Sequence, residues 1–405
     1  MVALFAALAL VGGPVFRTAT IDVSPPELLP LGGYTARGDS LMQAGGDPLF
    51  ARAVVFEDGG GRIALVSLDA LTIPESLFAA VKKQIPEGVG LMLVATHTHS
   101  APDSQMLNER MTFKVPGIAG FSRRWLEWYS QKIAACVNAA LVAEARDASA
   151  LRLSSASVGA NRGRREGAEP IKAATFLLMN GTPLLTTYAA HATVFGDERK
   201  TTSGDWPGAV ASQLGGIVFP GAIGDASPDS PSGDPMENIG NIVEKMRAGL
   251  SASKPAPLFE RRRGVSFVTV PIALGNPVPH PAFATEFGAP SPLDQVLVGR
   301  FAPTEASLTV VRIGSLVLVG VPGEPTSEIG RKVQALGANL GFPHSVVVSH
   351  TNGWIGYVLA PEDYDKGGYE AALSFHGRGT SQRVIEAAEA GLKKLAQPTL
   401  LTATR

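Results

Sequence analysis

An apolar run, Leu91-Met-Leu-Val-Ala-Thr, ends in His97-Thr98-His99 and turns at Ala101-Pro102. Residues two apart in a strand share a face, so both imidazoles would leave one side of a strand end. Neutral imidazole is the commonest protein ligand for zinc, and the pair reads as half of a metal site. A catalytic zinc takes three protein ligands and keeps one position for water. Two further residues stand at comparable strand exits: His191 after Pro183–Ala190, and Glu324 in a Pro-Gly-Glu-Pro turn after Ser315–Gly320. Strand ends are where α/β folds usually build sites. His280, His344, His350 and His376 read as exposed or structural; His280 lies in a Pro-rich loop and His344 follows Pro343. The stretch Gly221-Ala-Ile-Gly224-Asp225-Ala-Ser227-Pro228 offers a carboxylate and a hydroxyl but reads by itself as a turn. It is not Gly-x-Ser-x-Gly, so it implies no nucleophile elbow.

Several familiar arrangements are excluded. The residues after His99 are Ser100, Ala101 and Pro102, which break the His-x-His-x-Asp-His pattern of metallo-β-lactamases. No His-Glu-x-x-His is present. An amidohydrolase barrel would follow its His-x-His with eight regular strand-helix units, and the strand spacing here is too irregular. The single cysteine, Cys136, forbids an intrachain disulfide and a four-cysteine zinc cage. Formal net charge is -1 over 405 residues, which gives no support for nucleic-acid binding. Asp47, Asp69 and Asp205 could serve a further Mg or Ca site but read as turn or supporting carboxylates.

The elements that must position these residues are legible as alternating strands and helices. The first strand begins near Thr18, and 52–57 with 63–69 form a hairpin around Asp58–Gly61. Helices are expected over 76–85, 123–145, 237–251 and 381–395, with another starting at Pro207, a favoured first helical position. Strands are expected over 151–157, 174–179, 184–190, 266–272, 307–311 and 345–350. The Pro- and Gly-rich stretch 256–303 could carry a loop over the site. No internal repeat, dinucleotide glycine pattern or Walker loop is visible. The fold class is therefore α/β, with mixed sheets flanked by helices and a metal site at strand ends. Residues 1–17 resemble an apolar leader or signal peptide, too short to span a bilayer, which points to a secreted or periplasmic protein. Residues 18–405 are expected to form one domain.

Taken in order, Ala95-Thr-His-Thr-His-Ser-Ala-Pro102, Ala160-Asn-Arg162, Ala190-His-Ala-Thr193, Ser203-Gly-Asp-Trp-Pro-Gly208, Gly224-Asp-Ala-Ser-Pro228, Val321-Pro-Gly-Glu324, Thr351-Asn-Gly-Trp-Ile-Gly-Tyr357 and Tyr364…Tyr369-Glu370-Ala-Ala resemble the neutral, non-lysosomal ceramidase family. The resemblance implies a zinc amidase that cleaves the N-acyl bond of ceramide to sphingoid base and fatty acid. It implies His97, His191, Glu324 and Tyr357 as zinc ligands. It places His99 and Arg162 beside the scissile amide, and Asp225 and Ser227 in a Gly-Asp-x-Ser-Pro element whose serine is either nucleophile or support. Departures are Asp103-Ser104 where the family usually has Gly-Gly, Asp229 for Asn, and Glu324-Pro325-Thr326 for Glu-Phe-Thr. The C-terminal β-sandwich of longer members is expected to be absent. The expected partner is ceramide or another N-acyl lipid, with peripheral contact to membrane lipid; oligomeric state is left open. Alternatives are a zinc hydrolase for another N-acyl or ester substrate with a smaller pocket, and a non-catalytic metal-binding envelope protein.

Overall fold

The computed structural model describes residues 13–59, 61–259 and 264–397. Residues 1–12 of the expected leader lie outside that range. Residues 15–17 are already strand, with Val15 opposite Glu57.

Among the described residues three larger sheets share one plan, and two short ladders accompany them. The first contains β1 (Val15–Asp22), β2 (Phe50–Asp58), β3 (Gly61–Leu68), β4 (Val89–Ala95) and the edge piece β5 (Arg146–Asp147), in the order β4-β3-β2-β1-β5. The second contains β6 (Arg152–Ser157), β8 (Ala173–Met179), β9 (Thr182–Tyr188), β10 (Ile217–Pro220) and the edge piece β12 (Ala256–Pro257), in the order β10-β9-β8-β6-β12. Within the sequence span of the second sheet, β7 (Asn161–Gly163) and β11 (Ala226–Pro228) form a short ladder. The third contains β13 (Val265–Ile272), β14 (Ala306–Ile313), β15 (Leu316–Gly320) and β17 (His344–Val348), while β16 (Glu324–Pro325) pairs with β18 (Tyr357–Val358).

In each sheet three strands run antiparallel, and a fourth lies parallel to the third. A parallel pair needs a crossover, usually a helix. The crossovers are α1 (Glu75–Lys82), α3 (Asp205–Gln213) and α7 (Ser327–Asn339). A long helix then returns over the first strands: α2 (Arg123–Val142) on β1 and β2, α4 (Pro235–Ala252) on β6 and β8, and α10 (Thr380–Ala396) on β13 and β14. A ββββ-type unit with two helices thus occurs three times, although the sequence shows no repeat. Strand pattern and crossover geometry can be kept while side chains diverge.

Alternation along the strands explains how the units assemble. Val54, Phe56, Leu65, Met92 and Val94 from the first sheet meet Leu177, Leu185 and Phe219 from the second and Val311, Leu316, Leu318 and Val348 from the third in one central core. The opposite faces are covered by the helix pairs: α1 and α2, α3 and α4, α7 and α10. The strands β4, β10 and β15 are buried on both faces, which accounts for near-continuous apolar runs such as Leu91–Ala95 and Leu316–Val319. No closed barrel occurs among the described residues, in keeping with the exclusion of the amidohydrolase barrel.

The observed elements refine several boundaries. The helix expected from Pro207 starts at Asp205, whose side-chain Oδ1 accepts from the Trp206 amide. The strand expected over 345–350 ends at Val348, because Ser349 and His350 turn away. The 256–303 stretch is not simply a loop. It holds β12, β13, α5 (Ala282–Phe287) and α6 (Leu293–Phe301), and these two helices pack with Phe375. Two short helices, α8 (Pro361–Asp365) and α9 (Tyr369–Ala372), follow β18.

Candidate metal centre

Strand exits from all three units converge at one end of the central core. His97 follows β4, His191 follows β9, and Glu324 opens β16 just after β15. The three are buried, and their ligand atoms all lie within 4.8 Å of one another. Backbone bonds lace the turns together. The Thr98 hydroxyl donates to the Ser203 carbonyl, the His99 amide to Ala192, and the Gly224 amide to Pro325. A Cβ at Gly224 would lie 2.4 Å from the Glu324 carbonyl oxygen, so only glycine lets these two turns close. His97 itself sits at φ 65°, a conformation costly for a non-glycine residue and held only where the surroundings over-determine it.

Tautomers are fixed from behind. Nδ1 of His97 is 2.8 Å from the Leu71 carbonyl, and Nδ1 of His191 is 3.0 Å from the Ala226 carbonyl. A carbonyl only accepts, so both Nδ1 atoms carry the proton and both Nε2 lone pairs face inward. Glu324 Oε2 lies 3.2 Å from Nε2 of His191 and 3.7 Å from Nε2 of His97, yet takes part in no hydrogen bond. Two inward lone pairs and a buried carboxylate oxygen with no donor are acceptors facing acceptors. A cation resolves that conflict. Tetrahedral zinc with bonds near 2.0–2.1 Å holds its ligand atoms roughly 3.3 Å apart, close to the spacing found. Burial lowers the His97 pKa well below the ordinary imidazole value, and the neighbouring His350 ring lowers it further. Burial alone would raise Glu324, but the facing imidazoles of His97, His191 and His350 hold it well below the usual carboxylate range. Glu324 therefore stands as a carboxylate.

The Tyr357 hydroxyl lies 3.3 Å from Nε2 of His191, delivered by the pairing of Tyr357 opposite Glu324. Burial pushes its pKa well above 10. His99 also reaches the centre, with Nε2 3.3 Å from Nε2 of His97. Its Nδ1 has no hydrogen-bond partner, and its ring lies 4.8 Å from that of Tyr34. A Cβ on Gly33, at φ 91°, would sit 2.3 Å from His99 Nδ1, so glycine there makes room for the ring. Burial first, and then the positive neighbours, lower His99 to about 3 and keep it neutral.

Arg164, and not the expected Arg162, reaches the centre. Arg162 is exposed on β7, because strand alternation buries Asn161, whose Nδ2 donates to the Ile171 and Ala189 carbonyls. The chain leaves the strand after Gly163, and Arg164 enters the centre. Its Nη1 is 3.0 Å from Nε2 of His191 and its Nη2 3.1 Å from the Tyr357 hydroxyl, while Nε bonds Glu370 at 2.7 Å. Arg165 binds the other oxygen of Glu370 at 2.5 Å. Burial opposes the charge of Arg164, but Tyr357, Glu370 and Glu324 outweigh it and raise its pKa.

Asp225 does not touch a ligand. Its Oδ1 accepts from the amide and hydroxyl of Ser327 at 2.7 Å, fixing the start of α7 three residues after Glu324. Ser227 lies on β11 opposite Arg162, and among the described residues no base bonds its hydroxyl. Asp69 and Asp205 serve backbone amides: Phe50 for the first, and Val194, Phe195 and Trp206 for the second. Asp47 pairs with Arg199. Among the described residues His97, His191 and Glu324 are the one group with metal-holding geometry. Sequence reasoning missed Arg164, Glu370 as its anchor, and His350, whose ring stacks on His97 at 4.1 Å.

Residues 295–386 match the family model described as neutral/alkaline non-lysosomal ceramidase, N-terminal. A neutral ceramidase of Mycobacterium tuberculosis is 38% identical over 88 residues, covering 20% of this chain and 14% of that protein. Neutral ceramidase 1 of Arabidopsis thaliana is 34% identical over 96 residues, covering 21% and 12%. The matched stretches thus span about one-seventh of those relatives. The crystal structure of neutral ceramidase from Pseudomonas aeruginosa superposes with a TM-score of 0.76 at 18% identity, over 94% of this chain and 75% of that one. A ceramidase complexed with C2 gives 0.78 at the same identity, over 95% and 75%. The matched stretch carries Glu324, Tyr357 and Glu370, and the mixed sheets with helices follow the ceramidase fold. Over residues 295–386 the chain is similar to the neutral/alkaline non-lysosomal ceramidases, and over nearly its whole length it shares the fold of the two solved ceramidases.

Proposed function

We propose that this protein hydrolyses the N-acyl bond of ceramide-class lipids, releasing fatty acid and sphingoid base, with zinc held by His97, His191 and Glu324 and with Tyr357 at its side. The observation that carries this reading is the meeting of two inward Nε2 lone pairs with the donor-free Oε2 of Glu324, beside a half-buried guanidinium. A zinc ion bound there supplies Lewis acidity toward a carbonyl and toward water, whose pKa falls to about 7.

The chain's own groups supply the remainder. Arg164 and the Tyr357 hydroxyl present N–H and O–H donors to one point beside His191. An amide placed there finds donors for the negative charge that grows on its oxygen as the carbon becomes tetrahedral. Glu370 fixes the guanidinium beforehand, so little reorganisation accompanies that charge. His99, kept neutral by burial, takes the proton that the attacking water gives up and passes it to the leaving nitrogen. Asp225 and Ser227 are supports in this account: one caps α7 and the other sits in the β7–β11 ladder. The similarity to relatives that carry the name neutral ceramidase supports the substrate class.

The test is fatty-acid release from ceramides of graded acyl length by the purified protein, with chelator and with zinc restored. Chelator-sensitive, zinc-restored turnover is expected. Turnover confined to short N-acyl amides or esters would replace the lipid substrate by a smaller one. Turnover indifferent to chelator but lost in Ser227→Ala would replace the metal by a serine nucleophile.

A further inference from the structure

His350 stands where the threefold plan of the molecule puts a twin of His97. Each histidine lies two residues beyond the fourth strand of its unit, β4 for one and β17 for the other. The local sequences correspond: Val94-Ala-Thr-His97-Thr-His99 against Val347-Val-Ser-His350-Thr-Asn352. Both histidines take positive φ, 65° and 49°, and their rings stack at 4.1 Å with planes 18° apart. The backbone of His350 joins the two ligand turns, its amide donating to the Gly323 carbonyl and its carbonyl accepting from the Ala95 amide.

The twins differ in how their rings are held. Nδ1 of His97 is bound to the Leu71 carbonyl. His350 is fully buried, and neither ring nitrogen has a hydrogen-bond partner. A buried N–H without an acceptor is costly, and this one lies in a closed site beside a ligand. The polar atom facing it is Glu324 Oε1, 3.9 Å from Nε2. The same oxygen accepts from Nε1 of Trp354 at 3.0 Å. A ring movement of under about 1 Å brings Nε2 within hydrogen-bond range.

We infer that His350 is a positioning residue of the metal centre: with Trp354 it engages the outer oxygen of Glu324, so that Oε2 is the oxygen turned to His97 and His191. His350 is not placed as a ligand, since the ligand atoms that cluster within 4.8 Å are those of His97, His191 and Glu324. The inference rests on the metal reading given above.

The test is cobalt(II) titration of the full chain, followed by visible absorption and by competition with a chromophoric chelator. Wild type should bind one ion. His350→Leu should weaken binding about 10–100-fold, as loss of a group behind a ligand does, and should alter the cobalt spectrum. His350→Gln, which keeps an N–H donor, should restore most of both. His350→Asn suits the left-handed backbone but is too short to reach Oε1, so it should behave as Leu even where Leu folds poorly. Trp354→Phe should weaken binding in the same direction. Wild-type affinity and spectrum in both His350→Leu and His350→Asn would overturn the inference while leaving the metal reading intact. Two ions per wild-type chain, one of them lost with His350, would make it a ligand and overturn the positioning role. No cobalt or zinc bound by wild type would overturn the metal reading itself and this inference with it.

Discussion

Two walls face each other across the centre, and they are built differently. One wall is made of strand exits: His97, His191 and Glu324 follow β4, β9 and β15, strands buried on both faces, and carbonyls behind the two rings fix their tautomers. The other is made of a loop residue, Arg164, the first residue of the two-residue strand β18, Tyr357, and the short-helix residues Tyr369 and Glu370, joined by charge-assisted bonds and ring contacts. The first wall is rigid because three sheets must close on a common core before its turns can meet. The second is held mainly by one carboxylate, Glu370, which anchors Arg164 and Arg165 together. The difference assigns roles: the strand wall suits an ion that tolerates little displacement, and the loop wall suits a charge that appears during reaction.

The contrast can be broken in graded steps. The largest effect is expected on the strand wall: His97→Ala, His191→Ala and Glu324→Gln should each lose bound metal and hydrolysis together, as read by metal analysis of the purified variants. A fully active, metal-loaded His191→Ala would dissolve the distinction between the walls. Next, Arg164→Met should reduce kcat about 10²–10³-fold, the range for removing a donor aimed at developing charge, with metal content retained. Arg162→Met, on the exposed face of β7, should leave kcat nearly unchanged; the reverse ranking would return the role to Arg162. Glu370→Gln should fall between these two, since Arg164 keeps its charge but loses its anchor. Steady-state kinetics on all three variants measures the ordering.

The smallest effect concerns stability. Burial raises Asp205 to about 6, above its value in an unfolded chain. A carboxyl raised on folding favours the native state fully below the unfolded pKa, near 4, and loses that contribution as pH climbs through about 6. Asp205→Asn, which tolerates φ 51°, should therefore flatten the fall of Tm between pH 4 and 7, measured by calorimetry. An unchanged slope would assign the fall to other groups.

How far the site could be read from sequence follows the same division. His97, His191 and Glu324 each end or follow an apolar run, so strand periodicity alone placed them at exits. Tyr357 came only through the family resemblance, because a phenol after Gly356 carries no ligand signal. Arg164 was missed because strand alternation predicts faces only while the strand lasts, and the chain turns after Gly163. His350 had a signal, the likeness of Val-Val-Ser-His-Thr to Val-Ala-Thr-His-Thr. It gained meaning only when the sheets showed that both segments end equivalent strands. The threefold plan itself was hidden for the same reason: the units share strand order and crossovers, and outside such short stretches they share few residues.

The most direct measurement is anomalous X-ray scattering at the zinc edge from crystals of the purified protein. The account predicts a single strong peak between Nε2 of His97, Nε2 of His191 and Oε2 of Glu324. A zinc-saturated crystal with that position empty, or with the peak on other residues, would contradict it.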